Sequence, residues 1–473
     1  MIFFMIRPCT IICLIWLLGI SYSLSLQPLS QKYWPQNFPA KEHCSKCGLC
    51  ETSFVKDVKE ACPFLAKGMS DIESMELRIH DGSRERTEDG ERFGVLYEPI
   101  QLATGAPIVM SSHNHSYSQW TGVVTNLAIT MLETNMVDAV ICISSDSEKS
   151  SVHPKPIIAR TVSEVLQGRG VKPSLAPSLN VLDDVKSDPN IKRLLFCGVG
   201  CAVQAFRKVQ DQLGLEDVYV IGTNCADNSP TPQSAENFIE NGLGIPMKGK
   251  GQNKSSVIGY EFMQDFRVHV KVREDTSEVK YEKIPYFSLP GSIAKESIAP
   301  SCLTCFDYTN ALADISVGYM GGPLSPAGMM SSMQTITIRN PKGKRVVDTA
   351  IEQGRIFLHG EAPGRGDFQE FVLSTVEADT IVSGMMDKTA SDWSMPRPLA
   401  NILATIVTLI APKGLNFAKY SIDYHLLRNY LYLVHTWGEQ RALEMMPSYA
   451  KNIVGEYLKY ETFSNVLKKI SSK

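Results

Sequence analysis

The sequence predicts an α/β fold, α+β when the whole chain is counted, and three patterns carry that reading. An apolar run at 193–197 ends in the turn Gly198-Val199-Gly200, a helical stretch follows at 202–213, and a second apolar run comes at 218–222. Strand, turn, helix and strand at this spacing make a βαβ unit on a parallel sheet. Segments 266–272 and 334–340 alternate apolar and polar residues with period two, as half-exposed antiparallel strands do. Beyond 397 the pattern turns mainly helical.

The remaining elements follow in order. Residues 106–110 read as a short buried strand, 111–119 as a loop, 122–133 as a periodic helix and 137–143 as the next strand. Thr161 and Glu164 form a capping box that opens a helix over 162–167, each side chain reaching the other's backbone N–H. Segments 226–235 and 248–255 read as linkers, and 384–397 as a looser connection into the helical C-terminal part. The apolar run at 402–411 is too short to cross a bilayer, which takes about 20 residues. With 473 residues the chain has room for two or three domains. A net charge of −3 and 21% charged residues exclude a nucleic-acid partner held by phosphate neutralisation.

Targeting decides how the cysteines are read. Residues 1–25 carry one Arg and an apolar run over 11–20, followed by Ser21 and Ser23, the layout of a secretory signal peptide. Residues 24–40 hold hydroxyl and basic residues and no acid. An acid-free segment behind a signal peptide fits a two-part address, first to the endomembrane system and then into an organelle such as a complex plastid. Simple secretion is the other reading, and it would predict disulfides. The twelve cysteines are not spread as pairs; they cluster.

The first cluster is Cys44-Ser-Lys-Cys47-Gly-Leu-Cys50 with Cys62-Pro63 behind it. Three thiolates at x2 spacing can wrap three corners of one cubane, and a later Cys-Pro is the usual fourth member of such runs. Which cluster Cys62 serves stays open. A structural zinc site is the competing reading, but zinc ribbons bring two separated pairs rather than a triple. The second set is Cys197, Cys201, Cys225, Cys302 and Cys305. Two cubanes need eight ligands, and Cys197, at the end of an apolar run, reads as an inert core thiol, as does Cys142. Cys201, Cys225, Cys302 and Cys305 fall at strand ends or in loops, where ligands converge.

A flavin has two candidate seats. Gly198-Val199-Gly200 offers free N–H groups and a helix N-terminus to an anion, and reads equally as a plain tight turn, because Val203 stands where a dinucleotide fingerprint wants glycine. In Trp120-Thr121-Gly122-Val-Val-Thr125, hydroxyls and N–H groups precede a helix and Trp120 could pack on a ring; an ordinary helix cap is the alternative.

These segments resemble a known family. The Cys44 and Trp120 motifs, Leu194-Leu-Phe-Cys-Gly-Val-Gly-Cys201 and Gly222-Thr-Asn-Cys225 are similar to flavin and iron–sulfur proteins related to the β-subunit of deazaflavin-reducing hydrogenases. Tyr260-Glu-Phe-Met-Gln-Asp265, the block 301–314, Gly318-Tyr-Met-Gly321, and segments 412–432 and 446–451 resemble its photosynthetic branch, whose members reduce chlorophyll derivatives at a 7-hydroxymethyl or an 8-vinyl group. The resemblance implies FAD, two 4Fe–4S clusters on Cys44, Cys47, Cys50, Cys62, Cys201, Cys225, Cys302 and Cys305, and flavin contacts at Trp120, Thr121, Gly122, Thr125, Gly198 and Gly200. It also implies reduced ferredoxin as electron donor, a chlorophyll-type tetrapyrrole as substrate and a plastid location. An electron-relay subunit of a hydrogenase-type complex is the reading of a different class. The departing oxygen of a hydroxymethyl group needs an acid; His113, His115, Tyr117 and Asp307 stand near the motifs, and none of them is singled out. The expected layout is a signal peptide at 1–25, a transit-like segment at 26–41, an iron–sulfur region at 42–104, a flavin and second-cluster domain at 105–330 and a C-terminal domain at 331–473.

Overall fold

A computed structural model describes residues 44–471 apart from 63, 66, 109–119, 147–149, 247–255, 274–278 and 387–393. The leader expected at 1–41, the linker expected at 248–255, and His113, His115 and Tyr117 lie outside the described residues.

Eight strands form the central sheet: β1 (Gln101–Gly105), β2 (Ala139–Asp146), β3 (Ser150–Ala159), β4 (Arg193–Gly198), β5 (Asp217–Thr223), β9 (Ile315–Gly318), β10 (Gln334–Ile338) and β11 (Ile356–Glu361). Between β5 and β9 the chain makes a second, three-stranded sheet from β6 (Ser256–Phe262), β7 (Arg267–Arg273) and β8 (Val279–Pro285). The large sheet runs β11-β1-β10-β9-β5-β4-β2-β3. Its middle, β9-β5-β4-β2, is parallel, and β3, β10, β1 and β11 join by antiparallel pairing. The βαβ unit read from the sequence is β4, the helix Gly200–Val209 and β5, with Leu194 beside Val218 and Phe196 beside Val220.

Alternation along these strands feeds two cores. Ala139, Ile141, Leu194, Phe196 and Val220 face a layer with the helix Gly200–Val209 and the C-terminal helices. Val140, Cys142, Leu195, Tyr219 and Ile221 face the other, with the helices Val123–Glu133 and Pro341–Glu352. A strand buried on both faces tolerates few polar residues, which is why the parallel strands read so plainly as apolar runs.

Four expectations change. The first strand is Gln101–Gly105 and stops before 106, because Pro107 has no N–H to give and the Ala106 carbonyl accepts from the Asn126 side chain at 3.0 Å. Segment 334–340 is no half-exposed strand: β10 is buried throughout, since it lies between β9 and β1. The same holds for β7, whose Val268, Val270 and Val272 are buried on one face and His269 and Lys271 on the other. The sheet also crosses the boundary expected at 330, because β10 and β11 complete it. The capping box of Thr161 and Glu164 is present.

Candidate functional site

β10 runs against both β9 and β1, so β1 points the same way as β9, β5, β4 and β2. Five strands therefore end at one edge of the sheet, where open α/β proteins place their ligands. Cys201 follows β4, Cys225 follows β5, Tyr319 follows β9, and the connection leaving β1 leads to Trp120. Residues far apart in sequence meet there because the strands are parallel.

All ten cysteines described are free thiols, and they fall into separate groups. Cys62 is half-buried, and desolvation first, then the neighbouring charges of Cys47, Cys44 and Cys50, push its thiol up to about 12. Cys47 is likewise raised to about 12 by burial, then by Cys44 and Cys50, while a backbone hydrogen bond at Leu49 works the other way. Thus Cys62 stands with the N-terminal triple. Gly48 lets that loop turn: its φ is +78°, and a Cβ there would lie 2.7 Å from Pro177 Cβ.

Cys201, Cys225, Cys302 and Cys305 form the second group. Burial first, and then Cys47, Cys225, Cys305 and Cys302, hold the Cys201 thiol well above its ordinary value. Cys225 is raised by burial, Cys302, Cys305, Asp227 and Glu261. Cys47 therefore stands between the two groups. The Ser301 N–H donates to Ser45 Oγ at 2.9 Å, tying the loops together. From the long helix Leu415–Trp437, Asn429 Nδ2 donates to the carbonyls of Cys302 (3.0 Å) and Cys305 (2.5 Å). Arg428 beside it makes a two-point ion pair with Asp227 at 2.8 and 2.9 Å. Asn228 Nδ2 lies 3.2 Å from Cys225 Sγ. Cys197 has Cys142 as its titrating neighbour and packs in the opposite core. Among the described residues, no three His, Cys, Asp or Glu side chains stand as a ready single-ion site. Still, two sets of four free thiols, half-buried except for the buried Cys302, fit groups whose positive iron offsets the repulsion among crowded thiolates.

Beyond Cys225 the site becomes aromatic. Trp120 is 7% exposed and stacks on Tyr319 with centroids 5.0 Å apart and planes at 11°. Met263, Met329, Leu324 and Tyr281 complete this cluster. Tyr319, raised by burial, feels Glu261 and Cys225, so it adjoins the second thiol group. Its hydroxyl donates to the Phe262 carbonyl, and Gln264 Nε2 donates to the Gly322 carbonyl, laying the segment after β9 over the three-stranded sheet. The face covered there is polar. Register pairs Glu261 with His269 and Lys271 with Tyr281, and directly opposed residues share a face. Burial pushes the Glu261 carboxyl up to about 8, although Tyr319 opposes the shift. Burial also brings Lys271 down to about 8 and, with Asp265 nearby, Tyr281 up to about 12. His269 bonds Tyr281 through Nδ1 and both Asp265 oxygens through Nε2 at 2.9 Å.

The other expected contacts divide. Gly122 caps the helix Val123–Glu133 with φ +77°, Thr121 Oγ1 donates to Gln334 Oε1 at 3.3 Å, and Thr125 is half-buried in the first turn. Gly198 passes its carbonyl to Asn310 Nδ2 at 2.8 Å. A Cβ on Gly200 would lie 2.7 Å from Asp307 Oδ2, so a carboxylate of the chain itself already stands at that helix N-terminus. Asp307 also accepts from Gln204 Nε2 (3.1 Å) and the Ala311 N–H (2.9 Å), which makes it a brace. Glu261, His269, Lys271 and Tyr281 were not singled out as site residues in the sequence. His269 and Lys271 lie in the Val-His-Val-Lys alternation that reads as a half-exposed strand, and Glu261 lies in the 260–265 motif that carries the resemblance.

The arrangement defines an α/β protein with its reactive groups at the carboxyl edge of the sheet, and comparison places it. The chain belongs to the Coenzyme F420 hydrogenase/dehydrogenase beta-subunit family of oxidoreductases, matching the N-terminal family unit over 110–183 and the C-terminal unit over 191–363. It is 43% identical to 7-hydroxymethyl chlorophyll a reductase, chloroplastic, of Oryza sativa subsp. japonica, over 89% of this chain and 83% of that protein. An uncharacterised protein of Nostoc is 39% identical over 89% of this chain and 94% of its own length. The Coenzyme F420 hydrogenase subunit beta of Methanosarcina barkeri is 26% identical over 49% of this chain and 73% of its own.

Proposed function

We propose that the protein is a ferredoxin-dependent iron–sulfur flavoprotein that reduces a chlorophyll derivative, converting 7-hydroxymethyl chlorophyll a to chlorophyll a. One observation carries the reading: the two thiol groups and the Trp120–Tyr319 pair form a continuous series, with Cys47 between the groups and Cys225 beside Tyr319. One-electron carriers in line with a flat aromatic seat suit a donor that delivers single electrons and a substrate that takes two. The rice relative supports the substrate class, and its chloroplast location supports a plastid, with residues 1–41 as the address.

Cys44, Cys47, Cys50 and Cys62 would hold one 4Fe–4S cluster, and Cys201, Cys225, Cys302 and Cys305 the second. The flavin, FAD, would supply two-electron storage. Trp120 would line its ring, and Thr121, Gly122 and Thr125 its phosphates, with Gly198 and Gly200 as wall, because Asp307 repels an anion at the Gly200 end. Glu261 and Tyr281, protonated at neutral pH by their burial, keep hydrogens available in a cleft where water is scarce. Against the reading as a relay subunit stands the C-terminal helix that braces the Cys302–Cys305 turn, which lies beyond the matched family units.

Anaerobic incubation with reduced ferredoxin and each pigment separately tests the reading. Chlorophyll a should form from the 7-hydroxymethyl compound; turnover of divinyl chlorophyllide alone would assign the 8-vinyl reaction instead.

A further inference from the structure

The polar face of the three-stranded sheet is expensive. His269 and Lys271 are 1% and 2% exposed, and apolar side chains would cover the same surface without a desolvation cost. The Asp265–His269–Tyr281 chain on that face also has a direction. Asp265 as a carboxylate can only accept, so Nε2 of His269 carries a hydrogen and Nδ1 is the nitrogen turned to Tyr281. The Tyr281 oxygen accepts a second bond, from the Met329 N–H at 3.1 Å. With one proton on His269, Tyr281 donates to Nδ1. With two, Nδ1–H donates to Tyr281, both lone pairs of the phenol are filled, and its hydrogen must turn away from both partners. Tyr281 packs with Trp120, Tyr319 and Met329, which is the cluster read above as the seat of the reaction.

The geometry points to Asp265, His269 and Tyr281 as the proton supply of the reductive step, with Tyr281 the donor and the other two positioning and reloading it. This rests on the function proposed above. For a hydroxymethyl substituent, the carbon receives a hydride from the bound two-electron donor as the C–O bond breaks. The Tyr281 proton goes to the departing oxygen and water leaves. The Nδ1 proton of doubly protonated His269 then moves to the Tyr281 oxygen, and solvent reloads His269 beside Asp265, whose side chain is 14% exposed. Two electrons and two protons are consumed for each molecule of water released.

Tyr281→Phe keeps the ring and removes the proton. Turnover with reduced ferredoxin should fall about 100-fold. Pigment binding, followed by quenching of pigment fluorescence, and flavin bleaching by dithionite should stay within about twofold of wild type if the role is proton delivery. Asp265→Asn leaves Tyr281 and His269 in place and removes the carboxylate that orients the imidazole; its turnover should fall about 10-fold, less than the roughly 100-fold or more for losing a direct donor, because Asp265 acts through His269. It serves as the test if Tyr281→Phe folds poorly. Wild-type turnover in both variants overturns the relay, and so does parallel loss of pigment binding or flavin, which would mark a packing role. A wild-type protein that reduces no pigment in the same assay overturns the functional reading instead.

Discussion

Glu261 is a carboxyl that the fold prefers neutral. Its value is near 4.3 in an unfolded chain and about 8 in the folded protein, so the folded state binds the proton more tightly. Stability is therefore lost as pH rises between those values. Glu261→Gln should match the wild type near pH 4 and exceed it at pH 8 in urea-denaturation midpoints; equal midpoints at both would show the carboxyl to be solvated. Asp227 shows the opposite sign. Burial would raise it, but the Arg428 guanidinium holds it below the ordinary carboxylate value. The ion pair contributes fully above the unfolded value near 3.9 and is lost as pH falls through the folded one. Arg428→Met should cost about 3 kcal/mol at pH 7, the low end for a broken buried pair because Asp227 keeps some water, and the gap should shrink in acid.

At the scale of elements, the long helix Leu415–Trp437 joins the C-terminal part to the chemistry. It donates from Asn429 to the two carbonyls of the Cys302–Cys305 turn, and its neighbour Arg428 anchors Asp227 behind Cys225. Asn429→Ala should loosen that turn alone. If each thiol group holds a cluster, iron content after anaerobic reconstitution should drop to about half, with the signals of the N-terminal group intact. Full iron in the variant would show the helix to be dispensable for the second group. The helical character of this part was legible from its periodicity, as was the βαβ unit from its apolar runs. β7 was not legible in the same way. Period two reports which residues share a face, and whether that face meets water depends on what is laid over it. Here the segment after β9 covers it through Tyr319 and Gln264.

Across the whole molecule, the order of the groups predicts the order of electron flow. If the N-terminal thiols hold the outer cluster, Cys50→Ser should slow flavin reduction by ferredoxin while dithionite still bleaches the flavin. Cys225→Ser, beside Tyr319, should leave the first cluster reducible by ferredoxin and disconnected from the flavin. Stopped-flow absorbance separates the two, and equal flavin reduction in both variants would sink the series. The order arises because the N-terminal loop docks against the second group, through Ser45 and Ser301, 256 positions away.

Spacing and local hydrogen bonding are written along the chain, and they were enough for the parallel strands and the helix starts at Thr161 and Gly122. Long-range packing alone puts Cys62 with the first triple, sets Asp307 at the Gly200 helix end, and buries a strand of alternating valine, histidine and lysine on both sides. Those outcomes depend on which distant segments pack together, and burial by a remote loop leaves no local mark on the residues it covers.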